Sequence, residues 1–370
     1  MKHQMSITKL FLILFFLPAV IFAQDPLDRV WSIDGDPFEN LPGNMERLTT
    51  FGWRPNLSAD GRSVVFVNKE FGDVFTLDLV TRQFYCLTDN ICPKFPEHDA
   101  FIRASHLPNG DYLLVGISEW PAPDPTSSMD LYSRARHEEC RMYYLPKEPN
   151  SIPKVFGPKF YEGAAIGQKA MKVGYVINWW CDSSLPEGRS QLYMADLDIS
   201  GDEPKLLNEI LLWETDFPPD GRLAAVDFYD NDTKMSVISY DYAPGSAATC
   251  YSIDLKTKKV TDMSRTPETM DEPAAMFPDD KHMLIRSTRH TQEAGVMPES
   301  VSLSEVDLYK LKLDGTGKDC KRLTYISDYK GYKAHNASIS RDGSFMIYQI
   351  SAGSTHGHMT SRGLVLYKLK

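Results

Sequence analysis

Six polar positions recur at one place in a repeating pattern: Arg54, Arg103, Glu162, Glu214, Glu272 and His335, the last with Asn336 beside it. Each lies about six or seven residues before a tight turn, at the start of a β run, so runs standing side by side would bring these groups to one height. Two arginines can fork onto a carboxylate or sulfate, and facing carboxylates can bind hydroxyls or exchange protons. His137, in Arg136-His137-Glu138-Glu139-Cys140, ends the longest loop, 118–138. Folded over the same spot and close to Glu162 or His335, it would form an acid/base pair. Trp53, Tyr161, Trp213 and Tyr332 lie beside these positions and offer rings on which a sugar could stack. A solvated or mutually paired axial lining is the alternative use of the same residues.

Other chemistry is thin. His356-x-His358 lies near His335, but in a Gly/Ser/Thr loop with no carboxylate at ligand spacing, so no metal is expected. No Gly-x-Ser-x-Gly elbow, His-Glu-x-x-His or phosphate-cradling glycine loop occurs, and no cofactor is expected. Cys86, Cys92, Cys140, Cys181, Cys250 and Cys320 contain no CxxC pair; Cys86 and Cys92 are close enough to close a small loop, and the spacing chooses no pairing.

The elements that must position the polar groups are repeats. Arg47-Leu48-Thr49, Ser58-Ala59-Asp60-Gly61 and the run at 64–67 return as Arg322-Leu323-Thr324, Ser340-Arg341-Asp342-Gly343 and 345–348. Pro108-Asn109-Gly110, Pro219-Asp220-Gly221 and Pro278-Asp279-Asp280 fill the same turn slot in weaker copies. Each copy reads as four short strands. Inner strands are expected near 53–58, 101–107, 161–166, 212–217, 272–277 and 334–339, and outer strands near 83–88, 153–156, 203–207, 259–264 and 319–324. The missing sixth outer strand is Met45-Glu46-Arg47-Leu48-Thr49 at the front. The fold expected is therefore all-β, a six-bladed β-propeller whose last blade is closed by the N-terminal strand, which removes the open edges of a linear array.

The Leu-Thr strand, Ser-x-Asp-Gly turn and following β run resemble the TolB-like family of β-propeller repeats over essentially 45–370, strongly in the first and last blades and loosely in the third. The resemblance implies a scaffold used for protein docking, polysaccharide binding and, in relatives, catalysis; it fixes no single activity.

In such blades the long connections share one face. Here these are 118–138, with Trp120-Pro121-Ala122-Pro123, then 179–189 with Trp179-Trp180, 230–248, 289–304 and 351–362, joined by 88–100 and 325–333. His98, His137, His290, His335, His356 and His358 fall on this face, whereas His106 and His282 flank tight turns. Repeats of roughly 54 residues exceed the roughly 40–45 of compact propellers, and the surplus lies in these loops.

Residues 1–23, with Lys2 and Lys9 before an apolar run, read as a signal peptide, and 24–44, with Trp31, as a strap or linker before the propeller. A periplasmic or secreted protein is expected, monomeric and free of the membrane after cleavage. A net charge of −10 on 370 residues argues against a nucleic-acid partner. Two functions remain. One is a binding module for a polysaccharide, oligosaccharide or exported protein at the axial mouth, through Arg54, Arg103, His137, Glu162, Glu214, Glu272 and His335. The other is a lyase or glycoside hydrolase on acidic oligosaccharides, with Glu214 and Glu272 or His137 moving protons.

Overall fold

The computed structural model describes residues 30, 32–89, 100–122, 124, 130–218, 221–240, 248–266, 269–296, 306–353 and 360–370. The signal segment, Trp31, Cys92, His98, Pro123, Pro219-Asp220, His356 and His358 lie outside the described residues. Six four-stranded antiparallel sheets stand in a ring, a six-bladed β-propeller. Their inner strands are Trp53–Leu57, Phe101–His106, Tyr161–Ile166, Arg222–Tyr229, Asp271–Met276 and Tyr332–Ile339, here defining blades I to VI. Each packs on the next, and the sixth on the first.

Blade VI takes its outer strand from the front of the chain: Met45–Arg47 pairs with Thr360–Lys368, Met45 opposite Tyr367 and Arg47 opposite Val365. Residues 32–44 form a strap along the same blade. The Ser32 N–H donates to the Asp328 carbonyl at 3.0 Å, Arg362 pairs with Asp36 at 3.0 Å, and the Arg47 guanidinium covers the Phe38 ring at 3.9 Å.

The repeated motifs are explained by local hydrogen bonds. In blade I, Ser58 Oγ donates to Asp60 at 2.6 Å and accepts from the Ser63 N–H at 3.0 Å. Blade VI repeats this: Ser340 donates to Asp342 at 2.6 Å and accepts from Phe345 at 3.1 Å. Gly61 and Gly343 supply the left-handed residue, φ 68° and 66°. The Leu-Thr threonine locks the end of an outer strand to the start of the third. Thr88 Oγ1 accepts from the Val74 N–H at 3.0 Å and donates to Asp73 at 2.9 Å; Thr324 does the same with Leu308 at 2.9 Å and Asp307 at 2.6 Å. Second strands run between neighbouring blades and are apolar on both sides, as with the fully buried Val64, Val65, Phe66 and Val67. Each such side chain contributes about 1.5–3 kcal/mol of burial.

The expected strand boundaries fail at one junction. The third blade ends in one 12-residue outer strand, Lys205–Asp216, so the inner strand expected at 212–217 is the second half of that outer strand. The fourth inner strand is Arg222–Tyr229 and its partner is Lys234–Tyr240. The turn between them is not Pro219-Asp220-Gly221 but Asp230-Asn231-Asp232, at φ 52°, 56° and 59°. Asx residues tolerate this left-handed conformation, so the turn forms without glycine. Asp232 also serves the third blade, which lacks the Asp-Gly turn. Its carboxylate accepts from the N–H groups of Gln168, Lys169 and Ala170 at 2.7, 2.9 and 2.9 Å.

Candidate functional site: a capped axial cavity

All six inner strands break register against their partners at matching heights, between Trp53 and Asn56, Phe101 and Arg103, Tyr161 and Ala164, Ala225 and Asp227, Pro273 and Ala275, and His335 and Ala337. A bulge re-aims a side chain that a regular strand would send elsewhere. Arg54 and Asn336 occupy such bulges with φ of 53° and 46°. Buried Gln349 braces both, its Oε1 accepting from the Arg54 N–H at 3.3 Å and from Asn336 Nδ2 at 2.9 Å. This ring of bulges surrounds an axial cavity of about 640 Å³ to which every blade contributes.

One hydrogen bond spans the ring at the short-turn end. Arg341, on the turn after the inner strand of blade VI, donates at 2.8 Å to the carbonyl of Gln168 on the corresponding turn of blade III. Those blades face each other across the ring. At the long-loop end a cap made of the helical turn Leu131–Arg134 and the π-turn Ala135–Glu139 leans over the mouth. Arg136 fastens it: its Nε and one terminal nitrogen donate to Glu162 at 2.9 and 2.8 Å, and its other terminal nitrogen meets Glu70 at 3.0 Å. Lys159 with Glu139, at 2.6 Å, ties down its far end.

Glu162 also takes Arg54, at 2.8 and 3.3 Å. Burial would raise its carboxyl, but Arg136 and then Arg54 hold it well below the usual carboxylate range. Glu272 is ion-paired with Arg286. Arg286 lies 3.5 Å from His335 Nδ1, and His335 Nε2 meets Ser351 at 2.9 Å. Burial, with Lys333 and Arg286 adding to it, holds His335 neutral, well below the ordinary histidine range. His137 Nδ1 binds the Ser133 carbonyl at 2.5 Å, and its ring packs on Tyr161 and Trp180 with centroids 5.1 and 4.9 Å apart. Burial, then Arg222, push it down to about 4. Asp227 lines the same cavity, and burial raises its carboxyl to about 7.

Of the expected site residues, Arg54, Arg103, His137, Glu162, Glu272 and His335 line one cavity. Glu214 does not. It sits on the outer strand of blade III, its side chain 36% exposed and paired with Arg189 at 2.6 Å. The reason is the misplaced strand boundary, and Arg222, first residue of the true fourth inner strand, occupies the axial position instead. The expected proton-transfer pair of Glu214 and Glu272 is therefore absent, and Glu162 is bonded to arginines rather than to His137. Arg136, Arg222, Arg286 and Lys333 also line the cavity, though no motif marks them. Trp213 packs on Tyr251 at 5.3 Å and Tyr332 also lies outside the lining. Trp179 and Trp180 stack at 4.8 Å, and Trp180 backs the cap through His137.

The chain matches no family model and no curated protein. Its fold is similar to solved propeller structures. TolB from Acinetobacter baumannii is 15% identical over 83% of this chain and 67% of that one, with a TM-score of 0.40. Hydrazine synthase from Kuenenia stuttgartiensis is 11% identical over 86% and 83%, TM-score 0.46. A puromycin-hydrolyzing peptidase from Mycobacterium tuberculosis is 15% identical over 85% of this chain, TM-score 0.44, and this chain spans 45% of that peptidase.

Proposed function

We propose that this chain is an exported, TolB-like propeller binding module that takes the end of a polysaccharide chain into its axial cavity from the long-loop face. The observation that carries the reading is the cavity itself: polar around its ring and capped on one side by a segment that Arg136 holds in place. Its volume of about 640 Å³ lies within the roughly 300–1,000 Å³ of small-ligand sites and suits a short oligosaccharide. Export rests on Lys2, Lys9 and the apolar run behind them; the family assignment rests on the repeated Leu-Thr and Ser-x-Asp-Gly motifs. Glu162 and Glu272 are both committed to arginines, which favours holding a ligand over acid/base turnover.

A glycan array on the purified mature protein, followed by tryptophan-fluorescence titration of the hits, tests this, because Trp53 lines the cavity. Ser133→Trp narrows the mouth without removing a charge and is expected to abolish binding. Hits that bind Ser133→Trp as well as the parent place the ligand elsewhere, and an exported protein captured in place of any glycan makes the face a protein-docking surface; either result overturns the reading.

A further inference from the structure

Five arginines and Lys333 line the cavity, with Glu70, Glu162, Glu272, Asp130 and Asp227 as its acids. The arginines are not equivalent. Arg54 and Arg136 share Glu162, Arg286 has Glu272 and the Tyr240 hydroxyl, and Arg222 lies over the rings of Tyr161 and Tyr240 at 4.9 and 4.7 Å. Arg103 differs. Its Nε, like that of Arg222, is buried with no acceptor, and among the described residues no carboxylate lies within ion-pair distance of it, Glu162 acting on it only from farther off. Glu272 Oε1 is likewise buried with no donor, and its other oxygen is taken by Arg286.

A half-buried guanidinium that makes no hydrogen-bonded ion pair is costly, and a ligand that supplies an acceptor to it gains a charge-assisted pair. Two of the cavity's rings are already used, Tyr161 by His137 and Arg222 and Tyr240 by Arg222, while Trp53 and Tyr132 also line it. Five arginines and Lys333 among the lining make charge the selecting feature beside those rings. Resting on the proposal that a glycan end enters this cavity, we infer that the end is acidic, a uronate or sulfated sugar whose oxyanion seats on the Arg103 guanidinium. Burial and the nearby Arg54 bring the Arg103 guanidinium down to about 10, so it stays charged at neutral pH.

The test uses galacturonate, trigalacturonate and inorganic sulfate against galactose and a neutral galactan trisaccharide, at matched ionic strength, by calorimetric titration and thermal shift. The parent should bind the acidic sugars about ten-fold or more tighter than their neutral counterparts, and sulfate should compete. Arg103→Met should bring acidic sugars to the level of neutral ones; without ligand it should melt no lower than the parent, since it removes an unpaired charge. Arg103→Lys should recover part of the preference. Equal binding of acidic and neutral sugars by the parent, blocked by Ser133→Trp, overturns the acidic class and leaves the cavity reading standing. An acid preference that survives Arg103→Met removes Arg103 as the seat. No binding of any probe overturns both.

Discussion

Arg136 and Glu162 form a two-pronged ion pair, 2.9 and 2.8 Å, between the cap of blade II and the inner strand of blade III. Because Glu162 also holds Arg54 of blade I, one carboxylate joins three parts of the ring that are not consecutive in sequence. Glu162→Gln leaves Arg54 without its counter-ion and Arg136 with Glu70 alone. A destabilisation of about 3–5 kcal/mol is expected, read from the denaturant midpoint, together with faster proteolysis within 118–139. An unchanged midpoint and cleavage rate would show that the cap is held by other contacts.

Glu214 makes the opposite case. Its pairing with Arg189 is at the surface, and exposed ion pairs contribute roughly 0–1 kcal/mol. Glu214→Ala should leave stability within about 0.5 kcal/mol of the parent and leave ligand binding unchanged. Lost binding would return this carboxylate to the axis.

Asp227 should make stability depend on pH. Burial raises its carboxyl from 3.8 to about 7 in the fold. Between those values the native state keeps a proton that the unfolded chain has released, so this group's contribution to stability falls as pH rises from about 4 to about 7. Asp227→Asn removes that slope, and its advantage over the parent should grow with pH through this window, reaching on the order of 1–3 kcal/mol. A constant difference between the two proteins at pH 4.5 and pH 8 would contradict the raised carboxyl.

Thr324 tests the repeated motif. It is fully buried, accepts from the Leu308 N–H and donates to Asp307. Thr324→Val keeps the shape, leaves the Leu308 N–H without its acceptor and removes one of the donors to Asp307, so a loss of about 1–3 kcal/mol is expected. Thr324→Ser should recover most of it. Equal melting of the Val and Ser variants would mean that packing, not the hydroxyl, explains the motif.

The fold was legible because its signals are local. Ser58 with Asp60, Ser340 with Asp342, and Thr88 with Asp73 close hydrogen bonds within 15 residues. Each such signal is written wherever a blade is written. The shortfall of one outer strand at the C-terminus, matched by Met45–Arg47 at the front, required the ring to close through blade VI. The junction after blade III was misread for the same reason: Asp230-Asn231-Asp232 makes its turn without the Asp-Gly signal, and a neighbouring Pro-Asp-Gly resembled the missing turn.

The site depended on contacts no local pattern encodes. Arg54 meets Glu162 across 108 positions and Arg341 reaches Gln168 across 173. Arg222 replaced Glu214 on the axis once the strand boundary moved. By itself the sequence determined the repeat, the turns, the six blades and the strand that closes them, because hydrogen bonds and alternation within each blade suffice. Only the tertiary structure decided which charges meet, which of them cancel, and that Arg103 makes no direct ion pair among the described residues, because that outcome is set by distances across the ring.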